Sequence, residues 1–201
     1  HLNFHFLLNY RNVLLEGLFN TVQLSLAVMV SGFILGALLA LLRISQHPLL
    51  RAIGQLYVNL LRNLPALIVL FWFFYALPLF TGVQVSRFVT SWLAFSLYTA
   101  AYFCEGLRGS LQKLPKGQWE AASMLGFSRR RAFVVLMLPQ ALRHGVPALV
   151  NEIIEIVKIS AVAATIAFPE LLSQARMISD SEYRPVETYT AVAGIIMLFI
   201  L

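Results

Sequence analysis

"TVQLSLAVMVSGFILGALLALL", residues 21–42, contains no charged side chain. A helix rises about 1.5 Å per residue, so about 20 apolar residues cross the roughly 30 Å hydrocarbon layer of a bilayer. In that solvent the backbone must satisfy its own hydrogen bonds, so the stretch reads as a helix. A single such run near a chain start would also suit a signal sequence. Comparable runs recur at 64–80, 88–107, 141–157 and from 186 onward. The recurrence predicts an all-α integral membrane protein with five spans.

Composition agrees. The chain is 59% hydrophobic and 12% charged, the latter about half of the roughly 25% usual for soluble domains. The single Cys104 excludes an internal disulfide and a cysteine-based metal cluster. His1, His5, His47 and His144 are scattered without ligand spacing, so no metal is expected. The sequence starts without Met and stops inside a helical pattern, which reads as a piece trimmed from a slightly longer protein. Residues 1–201 are expected to form a single transmembrane domain.

Within the first run, Gly32 and Gly36 form a GxxxG pattern that lets another helix approach closely. Packing inside the same subunit is the favoured reading over a dimer contact. Pro65 sits at a natural helix start. The piece "ISAVAATIAFPELLSQARMIS", residues 159–179, breaks at Pro169 and suits either a short gate-like helix or a half-span.

Alternation of five spans sorts the basic residues into two groups of loops. One group holds Arg43, Arg51, Arg62, Arg108, Lys113, Lys116, Arg129, Arg130, Arg131 and Arg143; the other holds Arg11, Arg87, Arg176 and Arg184, and Lys158, near a span end, is counted in neither. Ten against four puts the amino terminus outside and the carboxyl terminus in the cytoplasm by the positive-inside rule. The net charge of +6 is therefore a topology signal, and nucleic acid is not an expected partner.

That orientation places "EAASMLGFSRRRAFVVLMLP", residues 120–139, in the cytoplasm. Trp119, Ala122 and Leu125 recur every three residues and form an apolar stripe on a short helix. Gly126 suits the left-handed residue that ends a helix, and Ser128 suits the cap of the next, which runs apolar and stops at Pro139. Three arginines at a helix N-terminus oppose the helix dipole by a few tenths of a kcal/mol each. They are better explained as membrane anchors or contacts to an acidic partner. An amphipathic connector lying on the bilayer is the plain alternative.

Glu120, Ala121, Ala122, Gly126, Leu136, Leu138 and Pro139 match the pattern EAA, three residues, Gly, nine residues, Ile-x-Leu-Pro, with Leu136 where Ile is usual. The chain thereby resembles the membrane (permease) subunits of bacterial ABC importers. The resemblance implies a permease core in which the loop at about 112–140 is a coupling helix-turn-helix docking on an ATP-binding subunit dimer. Trp119, Glu120, Ala121, Ala122, Leu125, Gly126, Leu138 and Pro139 are its expected coupling residues. No G-x-x-x-x-G-K-[ST] loop occurs in the chain. No cofactor is expected on this chain, ATP and Mg belong to the partner, and the chain is not by itself an enzyme.

The likeness extends to the polar amino-acid branch (histidine, glutamine, glutamate and arginine permeases). It is carried by Tyr102, Glu105, Arg108, Gly109, Pro115, Lys116, Gly117 and Gln118. Arg62, Asn63, Pro65 and Leu77–Pro78 add to it, as do Asn151, Glu152, Lys158 and Ser160 and the stretch "YRPVETYTAVAGI". This similarity implies import of a polar amino acid delivered by an extracytoplasmic binding protein. A second permease subunit, identical or similar, would complete the pore in the bacterial inner membrane.

Two sets of charges stand near or within the spans. Glu105 and Arg108, three apart, read as a structural ion pair. Asn151, Glu155 and Lys158 share one helical face, with Glu152 about 100° away. A charge at mid-bilayer costs about 2.5–3.5 kcal/mol, so such groups pair or line a polar path. Asn151, Glu152, Glu155, Lys158 and Ser160 are the substrate-path candidates, with a Glu155–Lys158 pair as the alternative role. The family often has an acid after that lysine; Ile159 here argues against recognition of a cationic side chain. A secondary transporter would carry internal repeats, which are not evident, and an intramembrane enzyme would need more than the Glu152/Glu155 pair.

Overall fold

The computed structural model describes residues 3–200, apart from the side chain of Arg129; His1 and that side chain lie outside the described residues. The described residues contain helices and turns and no strand. The helices are α1 (Arg11–Ile44), α2 (Pro48–Asn63), α3 (Ala66–Phe71), α4 (Leu77–Thr81), α5 (Arg87–Gln112), α6 (Lys116–Met124), α7 (Arg129–Ala132), α8 (Leu138–Ser160), α9 (Leu171–Glu182) and α10 (Pro185–Ile200). Every predicted apolar run falls on helix: 21–42 in α1, 64–80 largely on α3 to α4, 88–107 in α5, 141–157 in α8 and the last in α10. By length and composition, one uninterrupted helix among the described residues, His5–Ile44, suffices to cross a membrane.

Two features depart from the sequence reading. The segment before Pro65 is the amphipathic helix α2, opened by Pro48. Leu49, Ile53, Leu56 and Leu60 lie exposed along it, while Gly54 and Val58 are buried. It ends at Leu64, extended at φ −96°, ψ 140°, because the residue before a proline is driven out of the α region.

The second departure is at Pro139, which does not stop its helix. A π turn, Phe133–Met137, joins α7 to α8, and the amide of Leu138 bonds the carbonyl of Phe133, five residues back. Proline lacks an amide hydrogen and clashes with the carbonyl four residues earlier, and widening the preceding turn relieves both. The same device recurs before Leu77–Pro78, where Trp72–Ala76 forms the other π turn.

The chain divides into two compact units, and α1, α5 and α8 each contribute residues to both. In the unit made of His1–Met29, Pro65–Phe95 and Ile154–Leu201, Leu14, Leu171, Ala175, Ile178 and Val192 form the core. The piece broken at Pro169 resolves into a 3-10 turn, Ala161–Ile166, a left-handed Ala167 at φ 55°, and α9. It is tied to α1: Asn20 donates to the carbonyl of Pro169 at 2.8 Å, and the amide of Leu171 donates to Thr21 Oγ1 at 3.1 Å. Gly17 makes the approach possible, since a Cβ there would stand 3.0 Å from the Cα of Leu171. Glu170, 1% exposed, caps α9 by accepting the amides of Leu172 and Ser173.

The unit made of Val30–Leu64 and Ser96–Ile153 packs Ala40 and Val58 against Ala101, Cys104 and Leu107. Here Gly32 and Gly36 face α5 of the same chain. A Cβ on Gly32 would collide with Thr99 Oγ1, and one on Gly36 would lie 2.6 Å from Phe103 Cβ and 2.9 Å from the Ala100 carbonyl. Phe103 then meets Phe33 edge-on, with ring centroids 5.7 Å apart.

Candidate coupling surface and polar helix face

The loop after α5 is built by turn chemistry. Pro115, extended at ψ 134°, opens α6. Gly126 takes φ +77°; its amide bonds Ser123 O at 3.0 Å and the next amide, of Phe127, bonds Ala122 O at 3.0 Å. This is the pattern with which a left-handed residue closes a helix and satisfies its last carbonyls. Ser128 then starts α7, its carbonyl accepting from the Ala132 amide at 2.9 Å and its Oγ from the Arg131 amide at 3.4 Å. Both turn residues sit where the sequence placed them.

Under the turn, Leu114, Ala122, Ala132, Met137 and Ala141 form a buried cluster, with Trp119, Phe127 and Phe133 packed on it. The apolar stripe therefore holds at Trp119 and Ala122. It fails at Leu125, which is 76% exposed. Steps of three residues advance about 300° round a helix, so Leu125 stands about 120° from Trp119 and off the buried face; α6 ends there, with φ −79° and ψ 5°. Beside it Met124 is 89% exposed, and Glu120 and Ala121 are exposed as well. The result is a supported knob with an apolar, uncovered tip. Leu138 is half-buried at the start of α8 and contributes to an apolar cavity, so it is not on that tip. The Arg131 guanidinium lies 5.4 Å from the Phe127 ring centroid, a cation–π contact that offsets its unfavourable place at a helix start.

Glu105 does pair with Arg108, whose Nε donates to Oε1 at 3.0 Å. Its other oxygen accepts from Arg43, a partner at the end of α1 that the local spacing of Glu105 and Arg108 did not indicate.

On α8, Lys158 Nζ donates to Glu155 Oε1 at 2.6 Å, and both side chains are 55% exposed. Asn151, one turn earlier, is exposed, and Glu152 is partly buried. Ser160 does not join this face: it is buried and its hydroxyl donates to the Val157 carbonyl at 2.7 Å.

Residues 32–201 match the family model described as binding-protein-dependent transport system inner membrane component. A probable amino-acid ABC transporter permease protein, YckA of Bacillus subtilis, is 35% identical over 89% of this chain and 79% of its own length. The L-cystine transport system permease protein TcyB of Bacillus subtilis is 36% identical over 83% of this chain and 70% of its own. The glutamate/aspartate import permease protein GltJ of Escherichia coli is 31% identical over 86% and 75%. Among solved structures, a crystal structure of an amino acid ABC transporter with histidines superposes with a TM-score of 0.93 at 29% identity, covering 100% of this chain and 93% of that one. An inward-facing MetNI methionine ABC transporter shares the fold, with a TM-score of 0.78 at 20% identity.

Proposed function

From the premise that this chain belongs to the binding-protein-dependent transport system inner membrane component family, in its amino-acid ABC permease branch, we propose that it is half of an ATP-driven importer for a polar amino acid. A binding protein delivers the amino acid outside the inner membrane. A second permease subunit, identical or similar, completes the translocation path within a single domain of five spans per chain. The amino terminus lies outside and the knob in the cytoplasm. An ATP-binding subunit dimer carries ATP and Mg and grips the knob, biasing a two-state access change.

The observation that carries the coupling role is the exposed apolar tip, Met124 and Leu125, standing on a buried cluster. An isolated apolar tip on a rigid base suits insertion into a protein groove, where a few anchors supply most of the binding energy. On α8, Lys158 is the candidate to attract a substrate carboxylate and Glu155 an ammonium group, and the two pair with each other when the path is empty.

The test is recovery from native membranes in mild detergent, followed by mass spectrometry and an ATPase assay. An ATP-binding subunit that co-purifies with the wild type and is lost with Leu125→Asp supports the reading. A chain recovered without any nucleotide-binding subunit, under conditions that keep a known importer intact, overturns it.

A further inference from the structure

The unit that carries the knob holds two adjoining cavities that the proposed transport cycle does not use. The first, about 520 Å³, lies between the last turn of α1, the start of α2, the end of α5 and the start of α6. This is within the size of small-molecule sites, roughly 300–1,000 Å³. Its wall carries Arg43, Arg51, Arg108 and Lys116 and no carboxylate. The adjacent acid is Glu105, already bonded to both Arg43 and Arg108. Four cations against one carboxylate leave an excess of three positive charges. Arg51 is held in place by donating Nε and Nη2 to the Ser45 carbonyl, at 3.2 and 3.0 Å, and both Arg51 and Lys116 are exposed.

The second cavity, about 240 Å³, is lined by Phe, Ala, Leu and Ile side chains alone. The two share Ile44 and Leu111 in their walls. A cationic pocket adjoining a hydrocarbon pocket complements a ligand with an anionic head and an apolar chain. A free anion would leave the second cavity without a role. Guanidinium forks are well matched to phosphate oxygens, and basic pockets between membrane helices are suited to phospholipid head groups.

We propose that this pair of cavities is a binding site for an anionic phospholipid, with the phosphate held by Arg51, Arg108 and Lys116 and an acyl chain lying past Ile44 and Leu111 toward Phe33 and Leu142. The proposal rests on the membrane-subunit reading but not on which amino acid is carried. Trp119 of α6 lines the same cavity, so the bound head group touches the helix that bears the knob.

Native mass spectrometry of the purified full-length chain with its ATP-binding partner, in neutral detergent, tests this with phosphatidylglycerol against phosphatidylcholine of the same chains. Saturable retention of phosphatidylglycerol is expected. Arg51→Gln with Lys116→Gln should weaken it about 25-fold, taking roughly fivefold per cation near a membrane surface. A charge-matched control, Arg11→Gln with Arg143→Gln, should leave it within about twofold. Equal loss in the control, or no preference over phosphatidylcholine, overturns the site. So does inorganic phosphate or glycerol phosphate competing as tightly as the lipid, because the apolar cavity would then contribute nothing. Retention of the ATP-binding subunit in the same spectra reports on the coupling reading separately.

Discussion

Arg43 donates from Nη1 to Oε2 of Glu105 across 62 residues of sequence, so the end of α1 and the end of α5 share one carboxylate. Arg108 takes the other oxygen. Glu105→Gln removes the shared negative charge and turns one of the two acceptor oxygens into an NH2 donor, leaving two partly buried guanidiniums with one carbonyl between them. The expected loss is about 1–3 kcal/mol, since one partner of a charge-assisted network is removed while the others stay. Arg108→Gln should cost less, because Glu105 keeps Arg43. Thermal unfolding in detergent, comparing both variants with wild type, distinguishes this from a surface pair worth nothing measurable.

Gly126 has φ +77°, and beyond its two chain neighbours nothing lies within 4 Å of where a Cβ would stand. Space is therefore not the constraint; backbone conformation is. Gly126→Val should cost roughly 1–2 kcal/mol locally, whereas Gly126→Asn should be milder. The expected phenotype is normal insertion with reduced substrate-stimulated ATPase activity of the assembled complex. Unreduced stimulation in Gly126→Val would show that the turn does not set the knob's geometry.

At Gly36 the constraint is the opposite. A methyl there meets Phe103 Cβ and the Ala100 carbonyl, which belongs to backbone and cannot rotate away. Gly36→Ala is expected to destabilise by about 1–3 kcal/mol, as over-packing does. Gly194→Ala, whose added Cβ would meet nothing outside its own stretch of helix within 4 Å, should be nearly neutral. Paired unfolding measurements of the two variants check the contrast.

Glu170 lies between α8 and α10, outside the helices read as spans. Burial raises its carboxyl from the ordinary 4.5 to about 7, against the pull of the Leu172 and Ser173 amides, which favour the anion. Between those values the folded protein holds more protons than the unfolded chain, so stability falls as pH rises from about 4.5 to about 7 and is flat above. A loss of about 1–3 kcal/mol across that window is expected, at no more than roughly 1.4 kcal/mol per pH unit. Glu170→Gln should flatten the slope, and melting temperatures from pH 5 to pH 8 would show whether it does.

Local chemistry carried what the sequence alone determined. Long uncharged runs specify membrane helices because the bilayer allows few other structures, and Gly126 and Ser128 specify a turn because backbone conformation and capping act over a few residues. Tertiary structure decided the rest. Gly32 and Gly36 announced a close approach, but only packing could name Thr99 and Phe103 as what they approach. The helix α2 was hidden because its mixed composition lacks the uncharged length that marked the spans. Leu125 shares the apolar spacing of Trp119 and Ala122, yet it is exposed at the end of α6 because three-residue steps drift round the helix. Pro139 looked like a stop, yet a π turn absorbs it. Arg43 found Glu105, and Leu171 found Thr21, through contacts between segments far apart in the chain. No local propensity encodes such pairings, because they depend on which helix surfaces the folded chain brings together.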